Sequence, residues 1–409
     1  MSKFFDKYFK VKEVDGVKDI NSIQAVWKKI EKIPEFAVLK TCKQSPKWHG
    51  EGDAFRHTQC VVEEAIKYMP TGFYSVSEHV EALILAALFH DIGKGVTTFE
   101  KDGKWHAYGH EIESDKITRR ILWDEGFEFR EKVCALVRWH MEPLKLFERK
   151  SGLFEEFTRL SMILDEVDAD MGDLLLVKQW DVLGSKQENE DSKKKDIENI
   201  QHLFRLAMQM GFNRKEGTTN YIYFMKNQFK YEPDKKKVNL YMLIGLPGAG
   251  KDTFLNGKLV QSDSPFTYIN DKNHFTMWTV NPEDTVILCR DDIRAELGYC
   301  KKGEKIVGTS KQEETVTAKF NERLLDAARN GKTIIINNIN LKVKYREQIT
   351  RYLSGYDLTV RYVYLEAKGL DLNKERREGE IPDEVFDNMI MNFEWPTPFE
   401  YDEFYKITT

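Results

Sequence analysis

At 409 residues the chain is long enough for two or three domains with ample core, and its 41% apolar, 12% aromatic and 32% charged residues are those of a soluble globular protein. A formal net charge of −5 excludes nucleic-acid binding through a global basic field, so any such contact must come from local grooves. Five scattered cysteines without a CxxC pair exclude a disulfide framework, and with no bilayer-length apolar run or signal-type start they lead us to expect a cytoplasmic protein with no membrane partner.

The first half has a helical rhythm throughout and is expected to be all-α. His57–Met69 is amphipathic, with Val61, Val62, Ala65, Ile66 and Met69 on one face and His57 one turn before Val61. The capping pattern Ser75-x-x-Glu78 precedes a stretch that is apolar on every side, hence buried, and ends in His90-Asp91-Ile-Gly-Lys94. His110–Trp123 carries Ile112, Ile117, Ile121 and Leu122 and stops at Gly126. Phe129, Val133, Leu136, Val137 and His140 share a stripe of the next helix, and Leu174–Gly184 sets Asp181 one turn after Val177.

A buried imidazole or carboxylate is costly unless paired or metal-bound. One histidine on an apolar stripe is ordinarily a satisfied core residue. His57, His90, Asp91, His110, His140 and Asp181 together strain that account and point to a metal. Mixed imidazole and carboxylate ligation suits Mn, Fe, Co, Ni or Zn, without choosing among them.

The charge runs Lys186–Asp196 and Tyr231–Lys237 are expected to flank a connecting segment. The domains would then be 1–190 and 237–409, joined by 191–236, with the helical periodicity of Ile197–Lys230 packing on one of them. Beyond it, Val238–Ile244, Thr285–Cys289, Thr333–Asn337 and Leu358–Glu366 read as strands, each followed by a helical stretch. That alternation predicts an open parallel α/β sheet with right-handed crossovers.

The first of these strands runs into Gly245-Leu-Pro247-Gly248-Ala-Gly250-Lys251-Asp252-Thr253, a phosphate-cradling P-loop followed by a helix start. Its expected ligand is ATP or another NTP with Mg²⁺; Asp252 stands where Ser or Thr usually contacts the metal. After the second strand comes Arg290-Asp291-Asp292-Ile-Arg294. At that end of a strand Asp291 can take a proton from an attacking hydroxyl, and Arg294 can grip a phosphate. An N-capping Asp with a surface Arg fits the local sequence equally well.

His57-Thr, His90-Asp91-Ile-Gly-Lys94, Gly109-His110-Glu-x-x-Ser114, Val137-x-x-His140 and Trp180-Asp181-x-x-Gly184 occur in this order and together resemble the HD phosphohydrolase superfamily over roughly Trp48–Lys186. The resemblance implies that His57, His90, Asp91 and Asp181 hold one metal, that His110 and His140 hold a second where two are bound, and that Lys94 contacts the scissile phosphate. His49, in His49-x-Glu-Gly-Asp-x-x-x-His57, matches an extended form of the motif; Asp168 and Asp170 are rivals to Asp181. Hydrolysis of a phosphate ester is implied, and the ester is left open.

The P-loop, Arg290-Asp291-Asp292-x-Arg294, Asn338-x-Asn340-Leu, Asn373-x-x-Arg376 before Ile381-Pro382, and Asn392-Phe-Glu394-x-Pro396 resemble polynucleotide 5′-kinases. This implies that Asp291 is the general base, that Arg294 holds the neighbouring phosphate and that Arg376 is a lid arginine over the donor. Asn338 departs from the acid usual at its strand end. Leu372 departs from a second lid arginine, leaving Arg377 as the candidate, and Lys342, Lys344 and Arg346 read as solvated residues or a basic path.

The two halves together resemble HD–polynucleotide kinases, which implies healing of RNA (or DNA) ends ahead of a separate RNA ligase. On the residues alone, a nucleotidase joined to a small-molecule kinase and a non-catalytic nucleotide sensor stay open.

Overall fold

Residues 2–9, 11–14, 17–20, 23–67, 77–148, 152–212, 235–255, 267–269, 284–300, 309–376 and 381–409 are described in a computed structural model. They fall into two units, Met1–Phe229 and Lys230–Thr409. No helix among the described residues is long and apolar enough to cross a membrane.

The first unit is built around the helix Glu78–Phe89, whose residues from Glu81 onward are all buried. Its cap is Ser77, accepting from Val80 N at 3.3 Å; Ser75 of the expected pattern lies outside the described residues. Helices Ala54–Lys67, Phe127–Trp139 and Met171–Gly184 pack around it, and His110–Ile121 packs on Phe127–Trp139. The Met171–Gly184 helix starts before Leu174 because Asp170 and Asp173 form a capping box at its N-terminus. Asp170 is thereby committed to the backbone, and Asp168 accepts from Lys132 at 3.0 Å, so neither rivals Asp181.

The first unit is helical as expected, with two short ribbons added to the helices. Two antiparallel ribbons interrupt the helices: β1 (Val11–Val14) with β2 (Val17–Ile20), and β3 (Phe99–Lys101) with β4 (Lys104–His106). The second turns on Asp102-Gly103, both at positive φ (53° and 72°), the backbone that a two-residue hairpin favours. Ile112, expected in the core, is 39% exposed.

The first part of the expected connector is the helix Glu190–Met210, capped by Asn189 and ended by Gly211. It buries Ile200, Leu203 and Ala207 and packs on Met171–Gly184. Within the charge run, Lys193 donates to the carbonyls of Leu183 (3.0 Å) and Ser185 (2.6 Å), satisfying the neighbouring helix end. Residues 213–234 of the connector lie outside the described residues.

A buried ion cluster ties two helices of this unit. Glu131 accepts from Arg119 Nη2 and Arg130 Nε, both at 2.9 Å, and all three are at most 3% exposed. Glu131→Ala would take the shared carboxylate from two buried guanidinium groups, leaving Arg119 its pair with Asp115 (2.8 Å) and Arg130 its bond to the Trp123 carbonyl (3.1 Å), and a loss of about 3 kcal/mol is expected. Urea denaturation would show it as a lower midpoint at unchanged slope; a loss below about 1 kcal/mol would contradict it.

In the second unit β5 (Lys237–Ile244), β6 (Thr267–Ile269), β7 (Thr285–Leu288), β8 (Thr333–Ile336), β9 (Asp357–Glu366) and β10 (Glu403–Thr408) form one sheet, ordered β6-β10-β9-β5-β8-β7. Pairing is parallel from β10 through β7, and β6 joins antiparallel at one edge. The expected parallel α/β sheet is therefore present, with β6 and β10 added to the strands that were read. From central β5 the chain visits the edge strand β6, then β7 and β8 on one side of β5, then β9 and β10 on the other. The loop after β5 thus lies at the switch point, where such sheets bind ligands.

Arg346 is neither solvated nor part of a basic path. It is fully buried, pairing with Glu400 at 2.7 Å and donating to the carbonyls of Asn340 (3.0 Å) and Glu394 (3.1 Å). The Asn392–Pro396 stretch is anchored through it.

Candidate active sites

In the first unit, helix ends deliver the ligand-type residues to one point. His90 and His140 are the C-cap residues of Glu78–Phe89 and Phe127–Trp139, and His110 opens His110–Ile121. Each donates its Nδ1–H to a backbone carbonyl three residues back: Ala87 (2.8 Å), Val137 (2.7 Å) and Ala107 (2.8 Å). A carbonyl can only accept, so Nδ1 of each ring carries a proton, and in the neutral tautomer Nε2 offers its lone pair to the cluster.

Two close approaches complete the assembly. A Cβ on Gly93 would lie 2.2 Å from His110 O, and Gly93 N donates to Ser114 Oγ at 2.8 Å; this seats the Asp91 turn against the His110 helix. A Cβ on Gly184 would lie 2.8 Å from Val61 N, so only glycine lets Met171–Gly184 cross Ala54–Lys67 closely enough for Asp181 to meet His57. The glycines of both motifs thus have packing reasons.

Besides the group His49, Glu51 and His57, the result is two adjacent ligand groups whose members are all buried. His57, His90 and Asp181 form one, and Asp91, His110 and His140 the other; within each, the ligand atoms lie within 4.8 Å of one another. Asp91 spans them. Its Oδ2 is 3.2 Å from His90 Nε2 and 3.6 Å from His57 Nε2, while its Oδ1 is 3.1 Å from His110 Nε2 and 4.0 Å from His140 Nε2. Every expected metal residue is in the cluster. Lys94 is buried beside it, 2.6 Å from both Asp91 Oδ2 and Gln44 Oε1.

The donor set fits a metal. His110 Nε2 and His140 Nε2 are buried without a hydrogen-bond partner, and both face a carboxylate oxygen that cannot donate. Facing acceptors in a core are reconciled by a cation. The charges agree. Burial opposes ionisation of Asp91 and Asp181, yet His90 and Lys94 beside the first, and Lys178 and His57 beside the second, hold both well below the usual carboxylate range. Burial next to His90 and His110 pushes His140 well down, toward the neutral form that ligates. Burial would also lower His57, but its hydrogen bonds to Asp181 (2.9 Å) and Glu51 (2.7 Å) outweigh it and raise the group to about 9.

Sequence reasoning assigned no role to Glu51, Lys178 or Gln44. Glu51 Oε1 accepts from His57 Nδ1 and, at 2.9 Å, from His49 Nδ1; its Oε2 accepts from Lys186 N at 2.7 Å. His49 therefore meets Glu51 and stacks edge-on to His57. Glu51→Ala is expected to weaken metal binding about 10–100-fold, because His57 loses the acceptor that fixes its tautomer. Titration with Mn²⁺ followed by calorimetry would measure this, and an unchanged affinity would remove Glu51 from the site.

In the second unit the strand register places three segments on one edge. Met242 and Leu288 both pair with Ile336, so the loop after β5, Asn337–Asn338 after β8 and Arg290–Asp291 after β7 are neighbours. Gly248 and Gly250 take positive φ (76° and 83°), and Lys251 Nζ donates to the carbonyls of Gly245 (2.8 Å) and Leu246 (2.9 Å) across the loop. Pro247 O accepts from buried Asn373 at 2.9 Å, which ties the loop to the helix Leu370–Glu375 that ends at Arg376. Arg376 Nη1 donates to Thr409 Oγ1 at 2.6 Å; Arg377 lies outside the described residues.

Asp252 and Asn338 are each tied to a neighbouring strand end. Asp252 Oδ1 accepts from Asn337 Nδ2 at 2.8 Å, and Asn338 Oδ1 accepts from Arg290 N at 3.0 Å. Thr253, next to Asp252, is in the same short helix, Lys251–Leu255. Asp291 Oδ1 accepts from Arg294 Nη1 at 2.6 Å, and its side chain is 58% exposed, open to an incoming hydroxyl. Arg294 also pairs with Glu313 through Nε (2.7 Å) and Nη2 (2.8 Å), a partner from another helix that the sequence did not announce.

Residues 56–170 match the HD domain family, and residues 240–396 match the AAA domain family. The first match takes in five of the six cluster residues and stops before Asp181, which joins them by geometry alone. Among curated proteins, the Multifunctional CCA protein of Actinobacillus pleuropneumoniae serotype 5b (strain L20) is 40% identical over 88 residues, 22% of this chain and 20% of that protein. The Multifunctional CCA protein of Pasteurella multocida (strain Pm70) is 31% identical over 135 residues, 32% of this chain and 30% of that protein. The chain thus spans only about a fifth to a third of the curated relatives it matches. Among solved structures, a chain of the Pnkp1/Rnl/Hen1 complex has 17% identity and a TM-score of 0.26, over 38% of this chain and 44% of that one. An unliganded sugar kinase from Janibacter sp. HTCC2649 has 18% identity and a TM-score of 0.28, over 42% and 84%. The chain carries an HD domain followed by a P-loop domain.

Proposed function

We propose that this chain is a bifunctional enzyme that heals broken RNA ends, with the HD domain clearing 2′,3′-cyclic, 2′- or 3′-phosphates and the P-loop domain phosphorylating 5′-hydroxyls from ATP or another NTP. The observation that supports it most is the pairing, in one chain, of an Asp91-centred imidazole–carboxylate cluster with a phosphate loop that has Asp291 on the same sheet edge. A 2′,3′-cyclic phosphate opposite a 5′-hydroxyl cannot be joined by an ATP-dependent ligase. Treating both ends leaves a 3′-hydroxyl and a 5′-phosphate, and a separate RNA ligase is the implied partner.

In the HD domain, His57, His90, Asp91 and Asp181 would hold one divalent transition metal and Asp91, His110 and His140 a second. Such metals polarise phosphoryl oxygens and make hydroxide available at neutral pH. Lys94, held by Asp91 and Gln44, would meet a phosphoryl oxygen with its positive charge. Water adds its oxygen to phosphorus, the bond to the ribose oxygen breaks, and that oxygen leaves with a proton. Burial of the cluster keeps bulk water away and strengthens each of these charges.

In the P-loop domain, the backbone of Gly245–Gly250 and Lys251 would cradle the donor phosphates, with Mg²⁺ near Asp252 and Thr253. Asp291 takes the proton of the 5′-hydroxyl as its oxygen bonds to the γ-phosphorus and the bond to the bridging oxygen breaks. Arg294 would exchange part of its contact with Glu313 for the phosphate 3′ to the reacting nucleotide, and Arg376 would close over the donor.

Incubating the protein with γ-labelled ATP and an RNA that ends in a 5′-hydroxyl and a 2′,3′-cyclic phosphate tests the reading. Label should appear at the 5′ end and the cyclic phosphate should disappear; a DNA version of the oligomer sets the preference. If neither change occurs with Mg²⁺, Mn²⁺, Co²⁺, Ni²⁺ or Zn²⁺, the reading is wrong.

A further inference from the structure

We propose that the hairpin β3–β4 beside the metal cluster is a stacking platform for the last bases of a single-stranded RNA 3′ end. This rests on the RNA-end reading above and names how the strand is held. Phe99 and His106 are a directly opposed cross-strand pair, and so are Lys101 and Lys104; the four therefore share one face of the ribbon. Tyr108 extends that face: its ring lies 5.0 Å from His106, nearly parallel to it, and 5.8 Å from Phe99. Phe99 is 41% exposed and Tyr108 71%, although both are large rings that a fold ordinarily covers.

Three features select a polynucleotide as the occupant. The face alternates rings at its base with two exposed lysines at its tip, the combination that stacks bases and neutralises their phosphates. It is continuous with the metal cluster, because Tyr108 is two residues before His110 and Ala107, on its other side, supplies the carbonyl that orients His110. Two residues of chain reach at most about 7 Å, so a terminal phosphate held at the cluster delivers its own nucleoside to the rings. Trp105 is on the opposite face of the ribbon, where Lys43 lies 5.4 Å from its ring centroid, and takes no part.

Tyr108→Ala and Phe99→Ala, with Tyr108→Phe as a stacking-competent control, would be compared on two substrates. One is an RNA oligomer ending in a 2′,3′-cyclic phosphate, carrying 2-aminopurine as its last base; the other is ribose 2′,3′-cyclic phosphate, which has no base. Each alanine variant is expected to raise KM for the oligomer roughly tenfold and to reduce the quenching of 2-aminopurine on binding. Hydrolysis of the base-free ester should stay unchanged, and Tyr108→Phe should behave as the unsubstituted protein. Equal slowing on both substrates would make the hairpin a support for His110, and an unchanged KM for the oligomer would leave the rings without a role; either result overturns the platform. An unsubstituted protein that cleaves the base-free ester but no oligomer end overturns the platform and the RNA-end reading together.

Discussion

Asp91→Ala is expected to abolish 3′-end processing, by at least about a thousandfold, while 5′ phosphorylation continues at its normal rate. Among the described residues Asp91 is the one that turns an oxygen toward each ligand group, 3.2 Å from His90 Nε2 and 3.1 Å from His110 Nε2. Its removal leaves imidazole nitrogens without an anion between them and frees Lys94 from its ion pair. Metal content measured by plasma mass spectrometry should fall toward zero in the same variant. Asp91→Asn keeps the shape and loses the charge, so it should follow the alanine variant closely. Retention of metal and of activity within tenfold would refute the bridging role.

The mirror-image loss is expected at the other end of the chain. Lys251→Ala should lower 5′ phosphorylation by about a hundredfold or more and leave 3′ processing intact, since it removes the ammonium that lies across the loop. Asp291→Ala should lower transfer as severely but spare donor binding, because Asp291 sits after β7 and is proposed to serve the acceptor hydroxyl. Binding of a fluorescent ATP analogue separates the two: weakened in the first variant, unchanged in the second. Equal weakening in both would place Asp291 with the donor instead of the acceptor.

The candidate metal residues were legible because each lies on or at the end of an apolar helix, where a polar side chain is conspicuous. The same holds for the P-loop, where strand, glycines and lysine adjoin in sequence. What sequence could not supply were partners from distant segments. Glu51 reaches His57 from a loop and also ties it to Lys186, 135 positions further on. Arg346 sits in a helix with mixed spacing and is buried by Glu400 and two carbonyls that arrive some 50 residues later or from the preceding turn. Arg294 could be placed one turn after Asp291, but not opposite Glu313. The edge strands were missed for a related reason: Thr267–Ile269 is three residues long, and Glu403–Thr408 is held by pairing with β9 more than by its own alternation. The β3–β4 hairpin, by contrast, was readable from Asp102-Gly103 and was overlooked inside a helical domain.

The orientation of the imidazoles has a consequence for how this centre tolerates change. His90, His110 and His140 are aimed by main-chain carbonyls, which no substitution can delete. Only His57 is aimed by a side chain, Glu51. Sequence drift around the cluster can therefore alter its surroundings freely while three of its rings keep their tautomer, and selection or an engineer has a single handle on the fourth. The group holding His57, His90 and Asp181 is the adjustable half of the centre; the half holding His110 and His140 is fixed by the backbone.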